Sequence, residues 1–155
     1  MNHAMRRQDR RLTEEESTEI LRKGEYGVLS MCSVNNEGYG IPLSYALVNQ
    51  SIYFHSATEG SKLDFIRNNN KVSFCVVGRT KVMPSEFGTL YESAIAFGVI
   101  SEVDGEEKRE ALMELVKKYS GEYIQEGIEN INNNYSRVQV IKLSIESLTG
   151  KAKNH

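Results

Sequence analysis

Apolar residues recur along the chain in two rhythms, which divide it into strands and helices. Alternating or continuous apolar runs predict six strands, at 26–34, 39–48, 51–54, 71–78, 89–103 and 137–145. Helical spacing predicts helices at about 13–23, 60–69 and 106–119. Residues 79–87 are polar and read as irregular, and 121–135 as a loop or a frayed helix because of the run Asn132-Asn133-Asn134.

The connections between the early strands are short, which favours a meander of antiparallel strands. Asn35-Asn36-Glu37-Gly38 and Asn49-Gln50 both read as turns. Six such strands predict a mainly β fold, a small antiparallel barrel with helices at its ends and seams. A dinucleotide-binding parallel sheet is disfavoured, because strands and helices do not alternate and no GxGxxG follows the first strand.

The 155 residues suit one domain spanning 1–155, since no Pro-, Gly- or Ser-rich linker divides them. Residues 1–12, which are rich in arginine, form an arm in this interpretation. The arm is either solvated and mobile or lies across a partner subunit, near a bound ligand. A nucleic-acid arm is disfavoured, because no aromatic stacking residues accompany the arginines.

Charge and cysteine usage limit the compartments and partners expected for this protein. The formal net charge of -2 gives no reason to expect nucleic acid or an anionic membrane as partner. Cys32 and Cys75 form no CxxC pair and read as reduced core residues, with a reactive or bridging cysteine as the alternative. No apolar run approaches a membrane span and no apolar stretch follows the first arginines, so a cytoplasmic protein is expected.

The stretch from Ser51 to Ile66 carries the chemistry, because a strand there leads directly into a helix. Free backbone N–H groups at such a joint bind anions, and nearby hydroxyls and a lysine suit phosphate in particular. Ser56, Ser61 and Lys62 supply those groups. His55, which is the one histidine away from the chain ends, adds a side chain that titrates near neutrality. Neither a metal-binding cluster nor a Ser/His/Asp triad is visible, so no catalytic metal is expected.

Six segments, in the same order, resemble those of one family. They are MRRQDR (5–10), GEYGVLS (24–30), YGIPLSY (39–45), YFHSA (53–57) with Gly60 and Lys62, YESAIAFG (91–98) and TGK (149–151). The chain resembles the nitroimidazole-resistance (Nim) proteins, within the FMN-binding split-barrel group that includes pyridoxamine 5′-phosphate oxidases. The resemblance implies a homodimer with FMN at the subunit interface. It also implies reduction of a small oxidised substrate such as a 5-nitroimidazole, for which NAD(P)H is the expected donor although no nicotinamide motif is present.

The resemblance assigns His55 to the flavin as the catalytic residue, where an imidazole donates to reduced flavin or relays a proton. The alternative is a packed histidine at a strand end. Ser56, Ser61 and Lys62 match the phosphate-binding segment, with a solvated helix start as the alternative. Related oxidases usually carry arginine at the position of Ser61, so another cation is expected, and Arg79 and Lys81 are candidates without motif support.

Two further segments are assigned to the flavin by the same resemblance. Ile41, Pro42 and Leu43 present backbone groups to the ring edge, or else form a simple edge strand, where proline is tolerated. Ser93 contacts the ribityl chain, or else is a buried serine bonded to backbone.

Two other functions remain open from the sequence. A pyridoxamine-phosphate-oxidase-like oxidase ranks lower, because residues 147–155 lack the Arg-x-His-type tail expected for pyridoxal phosphate. A non-catalytic flavin- or haem-binding module is the other alternative, with His55 as an axial ligand of the haem. A barrel whose flavin site has decayed is a weaker option, since Gly60 and Lys62 are both intact.

Overall fold

One antiparallel sheet of seven strands forms the frame of the protein in the computed structural model, which describes residues 4–57 and 61–154. The side chains of residues 57, 61–63 and 65 lie outside this description. The strands are β1 (Gly27–Cys32), β2 (Gly38–Leu43), β3 (Ala46–Val48), β4 (Ser51–Ala57), β5 (Lys71–Met83), β6 (Gly88–Val103) and β7 (Val138–Lys153). The helices are α1 (Glu14–Lys23), α2 (Ser61–Asn68), α3 (Gly105–Tyr119) and α4 (Ile124–Asn134).

The strand order is β2-β1-β5-β6-β7-β4-β3, so a mainly β architecture with flanking helices is confirmed. The predicted number of six strands is wrong. The expected single strand 39–48 is broken at Ser44-Tyr45 into β2 and β3, which lie at opposite ends of the sheet order. Tyr45 causes the break, because it is fully buried and its hydroxyl donates to the Leu21 carbonyl. The early strands therefore do not form one continuous meander.

Two other boundaries differ from the prediction, and the choice left open for 121–135 falls to the helix. β5 continues through residues 79–83, where the sequence is polar because this part of the ribbon is largely exposed on both faces. β7 runs to Lys153, well past the predicted end at Ile145. Residues 124–134 form α4, whose Asn-rich end is solvated while Ile131 is buried. α1 begins with a capping box, in which Thr13 and Glu16 each accept from the other's backbone N–H.

The main core fills the space between the sheet and α1. Ile20 and Leu21 of α1 contact the inward side chains of the central strands. Phe74 lies at its centre and packs edge-to-face against Tyr45 and Phe54, with ring centroids 4.8 and 5.0 Å apart. Such aromatic pairs add about 0.5–1.5 kcal/mol each beyond their buried area.

A second cluster lies on the other face of β3, β4 and β7, where α3 and α4 pack. Leu112, Leu115 and Ile131 of the helices contact Tyr53 and Val140 of the strands. Since Ile52 and Phe54 belong to the main core and Tyr53 to this cluster, β4 is sandwiched between two apolar layers. The alternation of a strand's side chains makes this possible.

The cysteines and helices give two further results. Cys32 and Cys75 are free thiols, and both are partly buried on the outward face of the sheet instead of in the core. Burial raises the pKa of the Cys75 thiol.

Of the helices in the described part of the chain, none is long and apolar enough to cross a membrane.

Candidate functional site

The predicted phosphate and proton groups of β4 lie on opposite sides of the sheet. Ser56 is buried, on the core side with Phe54, whereas His55 is exposed on the side of Tyr53. His55 is paired with Val140 and Ser56 with Gln139 of β7. A ligand that contacts both side chains must therefore pass around the end of β4.

The predicted anion site lies where β4 leads into α2. β4 ends at Ala57 and α2 begins at Ser61, so Ser61 and Lys62 occupy the first turn of that helix. Backbone N–H groups of a first helical turn have no partner within the helix, which suits them to bind anions. Gly60 and the side chains of Ser61 and Lys62 are outside the described part, so their roles stay predictions.

The Ile41-Pro42-Leu43 segment lies on an edge strand. β2 pairs with β1 alone among the described strands, and Pro42 stands opposite Val28. Ile41 and Leu43 pack against the main core, so Pro42 points outward between them. An edge is where a strand tolerates proline, which has no N–H to donate to a ladder.

Ser44 links this edge strand to His55, and sequence reasoning missed it. Ser44 lies two residues before Ala46, which pairs with Tyr53, and His55 lies two residues after Tyr53. Both residues line one cleft of about 410 Å³. The family-like segment YGIPLSY includes Ser44, but no local pattern indicates that its strand turns a corner there.

The cleft lies between β4, β7 and the two helices α3 and α4. Its floor is apolar and is formed by Leu112, Leu115, Val116, Ile131 and Val138. Its rim is polar, with Ser44, His55, Tyr119, Ser120, Asn130 and Asn134. Apolar clefts with a few polar groups are typical small-molecule sites.

Two residues of α3 hold the Ser44-Tyr45 corner in place. The Tyr45 N–H donates to the Tyr119 hydroxyl over 3.0 Å. The Lys118 ammonium donates to the Tyr45 carbonyl over 2.9 Å and lies 3.6 Å from the centroid of the Tyr45 ring. Burial lowers the pKa of Lys118 to about 8. Lysines at a helix end usually extend into water, but Lys118 is partly buried and bonds the backbone at this corner.

Ser93 lies far from His55 within one chain. Ser93 is paired with Val77 of β5 and with Lys151, near the end of β7. His55 pairs near the start of that strand, with Val140. At about 3.3 Å per residue, the stretch of β7 from Val140 to Lys151 is at most roughly 36 Å long. Ser93 and His55 of one chain therefore pair with opposite ends of β7.

Ser93 shares the outward face of the sheet with Pro42. Pro42, Val28 and Cys75 lie side by side across β2, β1 and β5. Two residues further along β5, Val77 lies beside Ser93 of β6. Val28 and Val77 are 38% and 58% exposed. An apolar strip of this kind on a sheet face is a candidate contact surface.

The candidate extra cations differ in their surroundings. Arg79 forms an ion pair with Glu92, 3.4 Å away, and its backbone N–H donates to the same carboxylate. Lys81 is exposed on the β5–β6 ribbon. Neither Arg79 nor Lys81 lines the cleft.

Among the described residues, no group of three His, Cys, Asp or Glu side chains could hold a metal ion.

The arginine-rich arm lies against its own chain from residue 8 onward. Arg11 forms an isolated bridge with Lys151, and the Leu12 N–H donates to the Gly150 carbonyl over 3.0 Å. Arg7 forms an ion pair with Asp9 over 2.7 Å. The arm therefore lies next to the TGK segment and near Ser93.

Comparison with known families gives one match over most of the chain. The model of a family described as pyridoxamine 5′-phosphate oxidase matches residues 13–152. No curated protein matches the sequence.

Several solved structures share the fold. A candidate 5-nitroimidazole antibiotic resistance protein from Bacteroides thetaiotaomicron superposes with a TM-score of 0.74 at 21% identity, covering 92% of this chain and 86% of that chain. An FAD-binding protein from Mesorhizobium loti gives 0.65 at 20% identity, covering 94% and 98%. An FAD and haem binding protein from Mycobacterium smegmatis gives 0.77 at 15% identity, covering 92% and 72%.

Proposed function

Since the chain belongs to the pyridoxamine 5′-phosphate oxidase family, we propose that it binds a flavin, FMN in the first instance, and reduces a small oxidised substrate. The observation that carries this proposal is the position of His55. It is exposed at the end of β4, at the rim of the cleft and close to the strand-to-helix joint. An imidazole, the start of a helix and a cleft of small-molecule size thus lie near one another on one chain, which supports the proposal.

The residue types at the strand-to-helix joint support FMN as the flavin. The first turn of α2 offers N–H groups to the phosphate, and Ser61 and Lys62 add a hydroxyl and an ammonium to them. Ser56 adds a second hydroxyl on the core side of the same joint.

Each flavin site in this proposal is shared by two subunits of a homodimer. Ser93 and His55 of one chain pair with opposite ends of β7, and this separation supports a site that takes Ser93 from the second copy. Contact through the strip with Val28 and Val77 also removes exposed apolar surface from water.

In the proposed reaction, FMN when bound supplies electron transfer from a reduced nicotinamide to the substrate's nitro group, whose reduction to an amine consumes protons and releases water. His55 donates or relays a proton at its imidazole nitrogen. The Ser44 corner, fixed by Tyr119 and Lys118, positions the rim of the cleft beside His55.

The test is anaerobic turnover of the purified protein loaded with FMN. Bleaching of the flavin by NADH or NADPH, followed by recovery of its absorbance when 2-methyl-5-nitroimidazole is added, supports the reductase. Tight FMN that neither nicotinamide can reduce contradicts the reductase and leaves a binding module.

A haem-binding module is the second candidate, because one structural relative binds both FAD and haem. The exposed imidazole of His55 could serve as the axial ligand there. A strong Soret band after addition of haem, lost in His55→Ala, favours this function, whereas absorbance near 450 nm with FMN or FAD favours the flavin.

A further inference from the structure

Phe87 has two features that are each unfavourable in an isolated chain. It lies at the tip of the β5–β6 ribbon (residues 78–92) with a φ of 52°, in the left-handed region that bulky side chains rarely adopt. Its side chain is also 96% exposed, the largest fraction among the exposed large apolar residues that the structure describes. A strained backbone that holds an aromatic ring in water indicates a partner for that ring.

The tip of the ribbon holds Phe87 in a fixed position. Pro84 begins a short 3-10 turn, Pro84–Glu86, and the Phe87 N–H closes it by donating to the Pro84 carbonyl over 3.3 Å. Proline fixes its own φ, and β6 begins directly after Phe87. Little conformational freedom is lost when a pre-organised aromatic side chain is buried, which makes Phe87 suitable as an anchor in an interface.

The ribbon continues the outward apolar strip. Val77 lies beside Ser93 at the base of the ribbon, and Thr80 lies beside Tyr91 further out. Val82 follows two residues after Thr80, on the same face, and is 67% exposed. A second copy that covers the strip is therefore also in reach of the ribbon and its tip.

The cleft at His55 offers an apolar surface that suits the ring of Phe87. Its floor consists of aliphatic side chains from α3, α4 and β7. A phenyl ring and aliphatic side chains make many dispersion contacts when they pack together, and both are removed from water. The chain therefore carries an exposed aromatic side chain and an apolar cleft that fit each other.

Within one chain, the tip of the ribbon and the cleft lie at opposite ends of β7. Tyr91 of the ribbon pairs with Lys153, whereas Val138, which begins β7, lines the cleft. A site that takes Ser93 from the second copy and His55 from the first brings opposite ends of the two sheets together. The ribbon tip of each copy then lies at the end of the sheet that carries the other copy's cleft.

We propose that Phe87 inserts into the cleft at His55 of a second copy, so that each subunit of the homodimer closes the other's cleft. This inference rests on the proposed function, because it uses the shared site described there. Phe87 is six residues from Ser93, so the ribbon between them spans at most about 22 Å. The contact is reciprocal, as twofold symmetry requires. The inserted ring covers the apolar floor and excludes water from the surroundings of His55.

The test uses a tryptophan at the tip, because the chain has none of its own. Emission of the Phe87→Trp variant is blue-shifted when the indole is in an apolar cleft and red-shifted when it is in water. We expect blue-shifted emission at concentrations where sedimentation shows a dimer, and a red shift on dilution to the monomer. Tyr123→Trp, at a position that is 60% exposed and does not line the cleft, is the control and should not shift on dilution. Red-shifted emission from a Phe87→Trp dimer would overturn the inference.

A matched pair of changes tests the location of the ring. In the Phe87→Trp background, Asn130→Lys places a charge at the rim of the cleft, whereas Asn133→Lys places the same charge on an exposed position of α4 that does not line it. The blue shift should be lost in Asn130→Lys alone, because an apolar ring and a charge compete for the cleft. A blue shift that survives Asn130→Lys would mean that the ring is buried elsewhere, and the inference would be wrong.

The affinity between the copies gives a second measurement. Phe87→Asn keeps the turn, because asparagine adopts the left-handed backbone readily. Two buried rings are lost from each dimer, so its dissociation constant should rise at least about tenfold. Val34→Asn, which changes an exposed valine outside the strip, is the control. An unchanged dissociation constant in Phe87→Asn would contradict the proposed contact.

Flavin titration of the same variants separates this inference from the proposed function. A Phe87→Trp dimer with blue-shifted emission and no affinity for any flavin would refute the flavin proposal and leave the ribbon contact intact. A flavin-binding dimer with red-shifted emission would do the reverse. A protein that stays monomeric at all concentrations would refute both the shared site and this inference.

Discussion

His55 and Ser56 are consecutive residues of β4, yet His55 is exposed on the helix-covered side of the sheet and Ser56 is buried on the core side. The proton donor and the nearest hydroxyl of the anion site are therefore separated by the strand itself. Each side chain can therefore be altered without changing the other face of the strand.

His55→Ala should retain the flavin and lose turnover. Removing a general acid or base typically lowers the rate about 10²–10⁴-fold, and the anion site on α2 is unaffected by this change. Flavin affinity is measured by fluorescence titration, and nitro reduction by the loss of nicotinamide absorbance. Unchanged turnover in His55→Ala would remove His55 from the mechanism.

Lys62→Ala should lower the affinity for FMN at least about tenfold, because a charge-assisted contact to the phosphate is lost. Riboflavin has the same ring and no phosphate, so its affinity should not change. Lys71→Ala, which removes an exposed lysine from the start of β5, is the control. Equal losses for FMN and riboflavin would contradict a phosphate role for Lys62.

Val77→Glu should convert the proposed homodimer to a monomer, because it puts a charge into the apolar strip that the second copy covers. Flavin affinity should fall with it, since each site takes Ser93 from the partner in this proposal. Val34→Glu changes a valine of similar exposure outside the strip and should have no effect. Sedimentation measures the mass, and a Val77→Glu dimer would argue against this interface.

Deprotonation of Tyr53 should make the protein less stable at alkaline pH. Burial, followed by the hydrogen bond to Glu107 over 2.6 Å, raises the pKa of Tyr53 to about 12. The folded form thus retains a proton that the unfolded chain releases near pH 10, so the stabilisation is complete below pH 10 and is lost as the pH rises towards 12. The effect is at most about 3 kcal/mol for a gap of this size.

Tyr53→Phe isolates this contribution. Its free energy of unfolding, measured by urea denaturation, should decline less than that of the wild type between pH 10 and 12. Tyr45 is more deeply buried and its pKa is also raised, so both proteins retain some alkaline loss. Identical declines would show that Tyr53 does not titrate as its surroundings indicate.

The repeating elements of the fold could be predicted because they depend on local pattern. The amphipathic spacing of α3 and the capping box of α1 are visible in the sequence itself. The break at Ser44-Tyr45 could not be predicted in the same way. It depends on contacts of Tyr45 with Leu21 and Tyr119, which are distant along the chain.

The candidate site was likewise only partly predictable from the sequence. His55 and the strand-to-helix joint stand out as residue types in sequence, whereas Ser44 and the walls of the cleft come together only when α3 and α4 pack on β4 and β7. Lys118 was missed for a related reason, since a lysine at a helix end normally extends into water and here it bonds the Tyr45 carbonyl.

The measurement that tests the central claim most directly is a titration of the purified protein with FMN, FAD and riboflavin, monitored by flavin fluorescence and by absorbance near 450 nm. The account predicts saturable binding of FMN, tighter than riboflavin by at least about tenfold because of the phosphate contacts on α2. No saturable binding of any of the three flavins would contradict it and leave the barrel and the cleft without a cofactor.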